Sequence, residues 1–147
     1  MRPGSDWLTA AAAMSAAASL LHLACIMGGP NWYRFLGAGE RMAQMAEQGS
    51  WRPAVVTLFI AAVLAAWAVY ALSGAGFVAR MPLLKAGLVA IAIILLARAV
   101  AGVFPSLWRP DLSLSFKVLS SVIVAVMGST FAIGTAKAWP HLSRVAQ

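Results

Sequence analysis

Charged residues are scarce in this chain, and so are cysteines, whose disulfides stabilise many small domains. Only 10% of the 147 residues are charged, whereas an ordinary soluble domain carries about 25%. The single cysteine, Cys25, excludes a disulfide-stapled secreted fold. A hydrophobic content of 62% excludes intrinsic disorder, and a globule of this size could not bury so much apolar surface. The composition therefore predicts a membrane protein.

Four apolar runs are long enough to cross a bilayer, which takes roughly 20 residues per helix. We expect transmembrane helices over about residues 7–27, 54–72, 83–104 and 116–138, with glycine and proline at the breaks between them. An N-terminal apolar run can also be a signal peptide, but Asp6 offsets the charge of Arg2 and the run is longer than usual. The sequence thus predicts an all-α, polytopic integral membrane protein, a single four-helix domain over residues 1–147.

The first connector, of about 26 residues, is much longer than the other two. Within it, Phe35, Ala38, Met42 and Met45 recur at helical spacing, with polar residues between them. This pattern predicts a short amphipathic helix over about residues 35–48. Such a helix either lies at the membrane surface or covers a site as a lid.

Lysine and arginine, whose distribution normally sets orientation, divide evenly between the two ends of the predicted bundle. Each end carries five, and Arg98 falls inside a span. Because the second connector is short and basic, we expect both termini in the cytoplasm of a bacterium, with the protein in the cytoplasmic (inner) membrane. Small residues such as Ala11, Ser15 and Ser19 at four-residue spacing predict close helix packing.

Two side chains stand where lipid disfavours them. His22 lies near the end of the first span, and Arg98 lies six residues before Phe104, about 9 Å below the end of the third. An ionisable residue inside a span indicates a functional site by default. The alternatives are an interhelical hydrogen bond for His22 and snorkelling of the Arg98 side chain to the membrane surface.

Because successive helices run in opposite directions, His22 and Arg98 lie at the same membrane face as the long connector. We therefore expect a cluster of polar and aromatic residues at this end of the bundle, which we call the polar mouth, and no comparable cluster at the other end. As catalytic candidates we take His22 as acid/base, Arg98 as counter-ion, and Glu40 on the connector helix. Lys117 begins the fourth helix at the same face, with Ser120 and Ser121 one turn deeper. The residues predicted to line the ligand are Ser19, Trp32, Tyr33, Trp108, Arg109 and Asp111.

This mouth would bind or act on a small lipophilic ligand, and whether it is an enzyme stays open. Alternatively, the chain is an accessory or scaffold subunit of a larger membrane complex, or a small oligomeric transporter. The expected partners are membrane lipids, a lipophilic small molecule, and further copies or a larger complex. Basic residues at both faces favour anionic lipid over nucleic acid. Two histidines without a local motif do not indicate a metal centre, and the pattern specifies no cofactor.

Overall fold

Our computed structural model of the chain describes residues 3–104 and 113–142. The helices in these two ranges are α1 (Ser5–Phe35), α2 (Glu40–Glu47), α3 (Arg52–Ala75), α4 (Leu84–Val103) and α5 (Leu114–Leu142). The described residues contain no strand, so the predicted all-α class is confirmed for them. By length and composition, α1, α3, α4 and α5 could each cross a membrane.

The four long helices alternate in direction and form a bundle. Helix α1 packs along α3 and α5, α4 packs mainly along α5, and α3 meets α4. In the described ranges no Cα atom of α1 comes within 8 Å of one in α4, so these two helices lie diagonally across the bundle. We call the end where α1 and α4 finish, beside α2, the connector end. The terminal end is the one where α1 and α4 begin.

Glycine and small side chains let the helix backbones approach closely. Leu8 of α1 is fully buried, and a Cβ atom on Gly74 of α3 or Gly134 of α5 would lie within 3 Å of its side chain. Ala11, Ser15 and Ser19 are also buried, as their spacing predicts. Without a hydrophobic force between helices in lipid, such close approach supplies much of the packing energy.

The first helix continues past its predicted end at residue 27, with a kink at Gly29. The backbone there has φ 68° and ψ −153°, a conformation that is essentially restricted to glycine. Pro30 follows, and its fixed φ suits the first position of the short helical segment that ends at Phe35. The Gly-Gly-Pro sequence therefore redirects the helix instead of ending it.

The amphipathic helix begins five residues later than predicted. Gly37 and Gly39 both have positive φ, at 74° and 93°, which separates α2 from the preceding turn. Phe35 consequently belongs to α1 and is exposed. Helix α3 also runs beyond the predicted break, to Ala75, and the left-handed Gly76 ends it.

The last helix runs past its predicted end at about residue 138, passes through Pro140 and finishes at Leu142. A proline near the end of a helix disturbs only one backbone hydrogen bond. At this point the Arg80 guanidinium donates a hydrogen bond to the Leu142 carbonyl, which supplies a partner for a backbone group at the helix end.

Candidate functional site

At the connector end, Arg34 in the last turn of α1 forms ion pairs with two glutamates of α2. Arg34 donates to both carboxylate oxygens of Glu40, with Nε–Oε2 and Nη2–Oε1 distances of 2.9 and 2.8 Å. Its Nη1 lies 2.8 Å from Oε1 of Glu47. These hydrogen bonds hold the pKa of the Glu40 carboxyl below its ordinary value. The structure therefore places Glu40, a predicted catalytic carboxylate, in an exposed pair that positions α2.

Beneath α2 lies a small buried cluster formed by Cys25, Tyr33 and Ala43. Tyr33, predicted to line a ligand, is only 2% exposed and serves as core between α1 and α2. Trp32 is partly exposed, and its indole occupies the space that a side chain on Gly28 would need. Both aromatic residues thus stabilise the segment that follows the kink.

His22 and Ser19 direct their polar atoms to backbone carbonyls. His22 Nδ1 donates to the Ala18 carbonyl of its own helix at 2.7 Å. Ser19 Oγ donates to the Ala61 carbonyl of α3 at 2.8 Å, which links the two helices. The hydrogen bond of His22 is therefore within α1, not the interhelical one considered from the sequence.

The Arg98 side chain extends along α4 towards the connector end, over Gly102. A Cβ atom built on Gly102 would lie within 3 Å of both Arg98 Nη1 and Ser121 Oγ. The absence of a side chain at Gly102 therefore lets the guanidinium pass and lets α5 approach. This direction is the snorkelling expected of an arginine near the end of a span. We call Arg98, Gly102 and Ser121 the Arg98 niche.

Ser121 gives the Arg98 niche a second polar group. The residue is 3% exposed, and within the described ranges its Oγ has no hydrogen-bond partner. Leaving a buried hydroxyl unpaired costs about 1–3 kcal/mol. An unpaired donor beside an arginine is suited to bind an oxygen atom that carries negative charge, because such hydrogen bonds are the stronger ones.

The structure does not bring His22, Glu40 and Arg98 together. His22 and Arg98 lie on the two diagonal helices, and Glu40 is engaged by Arg34. Their catalytic roles stay a prediction. Trp108, Arg109 and Asp111 lie outside the described residues.

Polar and aromatic groups also meet at the terminal end, where the sequence predicted no comparable set. Lys85 Nζ lies 4.3 Å from the centroid of the Trp139 ring, and Lys137 Nζ lies 5.6 Å from that of Trp7. The expectation of a polar set at one end alone is therefore wrong. These cation–π pairs join residues far apart in the chain, so spacing could not reveal them.

Gly102 is the residue of the Arg98 niche that the sequence analysis did not identify, and the sequence contains one signal for it. It stands four residues after Arg98, on the same face of the helix, where a long side chain that extends towards the membrane surface needs room.

Across the ranges that the structure describes, no three His, Cys, Asp or Glu side chains cluster as they would around a metal ion. Comparison with protein-family models, curated proteins and solved structures gave no match.

Proposed function

We propose that this chain is an integral membrane protein whose four long helices cross a bilayer, with α2 at one surface. The support is their length of 20 to 31 residues, since roughly 20 suffice for about 30 Å of hydrocarbon. Large apolar side chains are exposed along each of these helices, as lipid contact requires; examples are Leu20, Phe59, Ile93 and Val122.

Within this membrane protein, the Arg98 niche binds a lipophilic molecule that carries a carboxylate or another anionic oxygen group. The observation that carries the proposal is the convergence of Arg98 Nη1 and Ser121 Oγ over Gly102. Arg98 supplies the fixed positive charge, and Ser121 supplies a neutral donor that has no other partner in the described ranges. The apolar part of the ligand would lie in the lipid beside α4 and α5.

Binding rather than catalysis is the function that this geometry supports. A general acid or base must come within hydrogen-bond reach of the proton that it transfers. Arginine stays protonated under ordinary conditions, and a serine hydroxyl without an adjacent base is a poor nucleophile. The Arg98 niche can therefore recognise an anion but brings no group of its own that would transfer a proton.

The experiment compares a spin-labelled stearic acid with its methyl ester, in phosphatidylcholine membranes that contain the protein, at an alkaline pH that ionises the acid. We expect the wild type to prefer the acid about fivefold, the effect of about 1 kcal/mol for one cation near the surface. Arg98→Gln should abolish this preference, and Arg98→Lys should keep part of it. Arg52→Gln, which removes an exposed charge at the same end, is the matched control.

A second variant tests the geometry without changing charge. Gly102→Ala places a methyl group within 3 Å of both polar atoms, so it should lower the preference for the acid while Arg98 remains. If the wild type binds the acid and the ester equally, or if Arg52→Gln lowers the preference as much as Arg98→Gln does, the proposal is wrong.

A further inference from the structure

An open apolar groove runs between α4 and α5 towards the terminal end of the bundle. Its volume is about 500 Å³, within the range of roughly 300–1,000 Å³ typical of ligand sites. Ala92 on α4 and Ala132 and Ala136 on α5 leave the space, and longer apolar side chains form its walls. A groove of this shape and composition fits a hydrocarbon chain.

A cation and an aromatic ring mark the terminal end of this groove. Trp139 lines it, and Lys85 in the first turn of α4 holds its ammonium group over the indole ring. Arg80 reaches the carbonyl of Leu142, three residues further along α5. Two positive charges therefore stand near the point where the groove leaves the bundle, and cations at a membrane surface attract anionic head groups.

A buried hydroxyl lies in the groove one helical turn below Trp139. Thr135 is 4% exposed, and its Oγ1 has no hydrogen-bond partner among residues 3–104 and 113–142. Threonine in a helix usually satisfies itself by donating to a carbonyl of the preceding turn. Thr130 does so, with Oγ1 2.7 Å from the Met127 carbonyl. Thr135, which lines the groove, thus differs from Thr130, which is not among the groove-lining residues.

We propose that the groove binds one acyl chain of an anionic phospholipid. The phosphate lies by Lys85 and Trp139, and an ester carbonyl accepts a hydrogen bond from Thr135 Oγ1. The spacing suits this occupant, since four residues of helix separate Thr135 from Trp139 by about 6 Å. In a phospholipid the ester groups likewise lie just beneath the head group. An apolar helix of another copy would supply neither an acceptor for the Thr135 hydroxyl nor an anionic group for the cationic end of the groove.

The test measures the association of spin-labelled phosphatidylglycerol and phosphatidylcholine with the protein in phosphatidylcholine membranes. Because Lys85 acts on the head group, Lys85→Gln should reduce the preference for phosphatidylglycerol about fivefold. Because Thr135 acts on the ester carbonyl that both lipids share, Thr135→Val should weaken both about threefold, and Thr135→Ser should restore them. The matched controls are Lys117→Gln at the opposite end and Thr130→Val.

A third variant fills the groove without touching either polar group. Ala136→Leu should displace both lipids, and circular dichroism and thermal unfolding verify that the variant keeps its fold. Equal binding of the two lipids by the wild type, or unchanged binding in Thr135→Val and Lys85→Gln, would overturn the proposal. So would a loss of self-association in Ala136→Leu with lipid binding intact, since a second copy would then be the occupant. The variant Arg98→Gln should leave all these effects in place, so this site and the Arg98 niche can fail separately.

Discussion

Five polar side chains in the long helices fall into two groups, according to whether they have a backbone carbonyl as hydrogen-bond partner. Ser19, His22 and Thr130 each donate to a backbone carbonyl, the kind of partner that a polar group in a membrane span needs. Ser121 and Thr135 have no such partner within the described ranges. They stand fourteen residues apart on α5, about 21 Å along one side of the helix. Ser121 lies beside the Arg98 guanidinium of α4, and Thr135 lines the groove one turn before Trp139, over which Lys85 of α4 lies.

Gly29 is the residue on which the direction of the chain after α1 depends. Replacing it with alanine keeps the space open but forces a side chain into a backbone conformation suited to glycine. We expect Gly29→Ala to lower the free energy of unfolding in mixed micelles by about 1–3 kcal/mol. Pro30→Ala, which leaves that conformation available, is the control and should cost less. Equal stability of Gly29→Ala and the wild type would contradict the assigned backbone.

Hydropathy located the four long helices but not their ends. Each run is apolar enough to predict a helix because lipid permits little else. Beyond the apolar part, the ends depend on local contacts: α1 continues because Tyr33 packs against Cys25 and Ala43. The same limit applies to the site. Arg98 can be noticed in the sequence because it is a charged residue within an apolar run. That Ser121 lies beside it depends on which helices pack together, and the sequence does not show this.

The attachment of α2 should depend on pH through Glu40. Its pKa is lowered in the folded protein by the hydrogen bonds from Arg34. The resulting stabilisation is fully present above the ordinary carboxyl pKa, and it is lost as the pH falls through the lower folded value. We therefore expect the amide resonances of α2 to shift and broaden below about pH 4.5 in an NMR titration. In Glu40→Gln this acid transition should be absent, and its persistence there would assign it to another group.

At the scale of the whole molecule, the diagonal placement of α1 and α4 separates the two side chains that the sequence had brought together. Alternation of helices puts His22 and Arg98 at the same end, but it does not make their helices neighbours. Helix α4 packs most closely against α5, and both the apolar groove and the Arg98 niche lie between these two helices. The two proposed ligand sites, which are similar in chemistry, therefore both lie between α4 and α5, at opposite ends of the bundle.

The topology that this arrangement requires can be tested with single cysteines. Cys25, the only native cysteine, is buried and is first replaced by alanine. Gln48→Cys at the end of α2 and Ala79→Cys between α3 and α4 then provide one exposed thiol each. In intact bacterial cells a membrane-impermeant maleimide should label Gln48→Cys. It should reach Ala79→Cys only after permeabilisation, because the end of the bundle that carries Arg80 and Lys85 is expected in the cytoplasm.

The two outcomes of this labelling bear on different claims. Labelling of both thiols from one side would contradict a bundle in which α3 crosses the membrane. Labelling from opposite sides in the reverse sense would retain the crossing helices and place the termini outside. Because lysine and arginine are evenly divided between the ends, orientation rests on few charges. Replacing Arg80 and Lys85 together with glutamine leaves more lysine and arginine at the connector end, so by the positive-inside rule a population labelled in the reverse sense should appear.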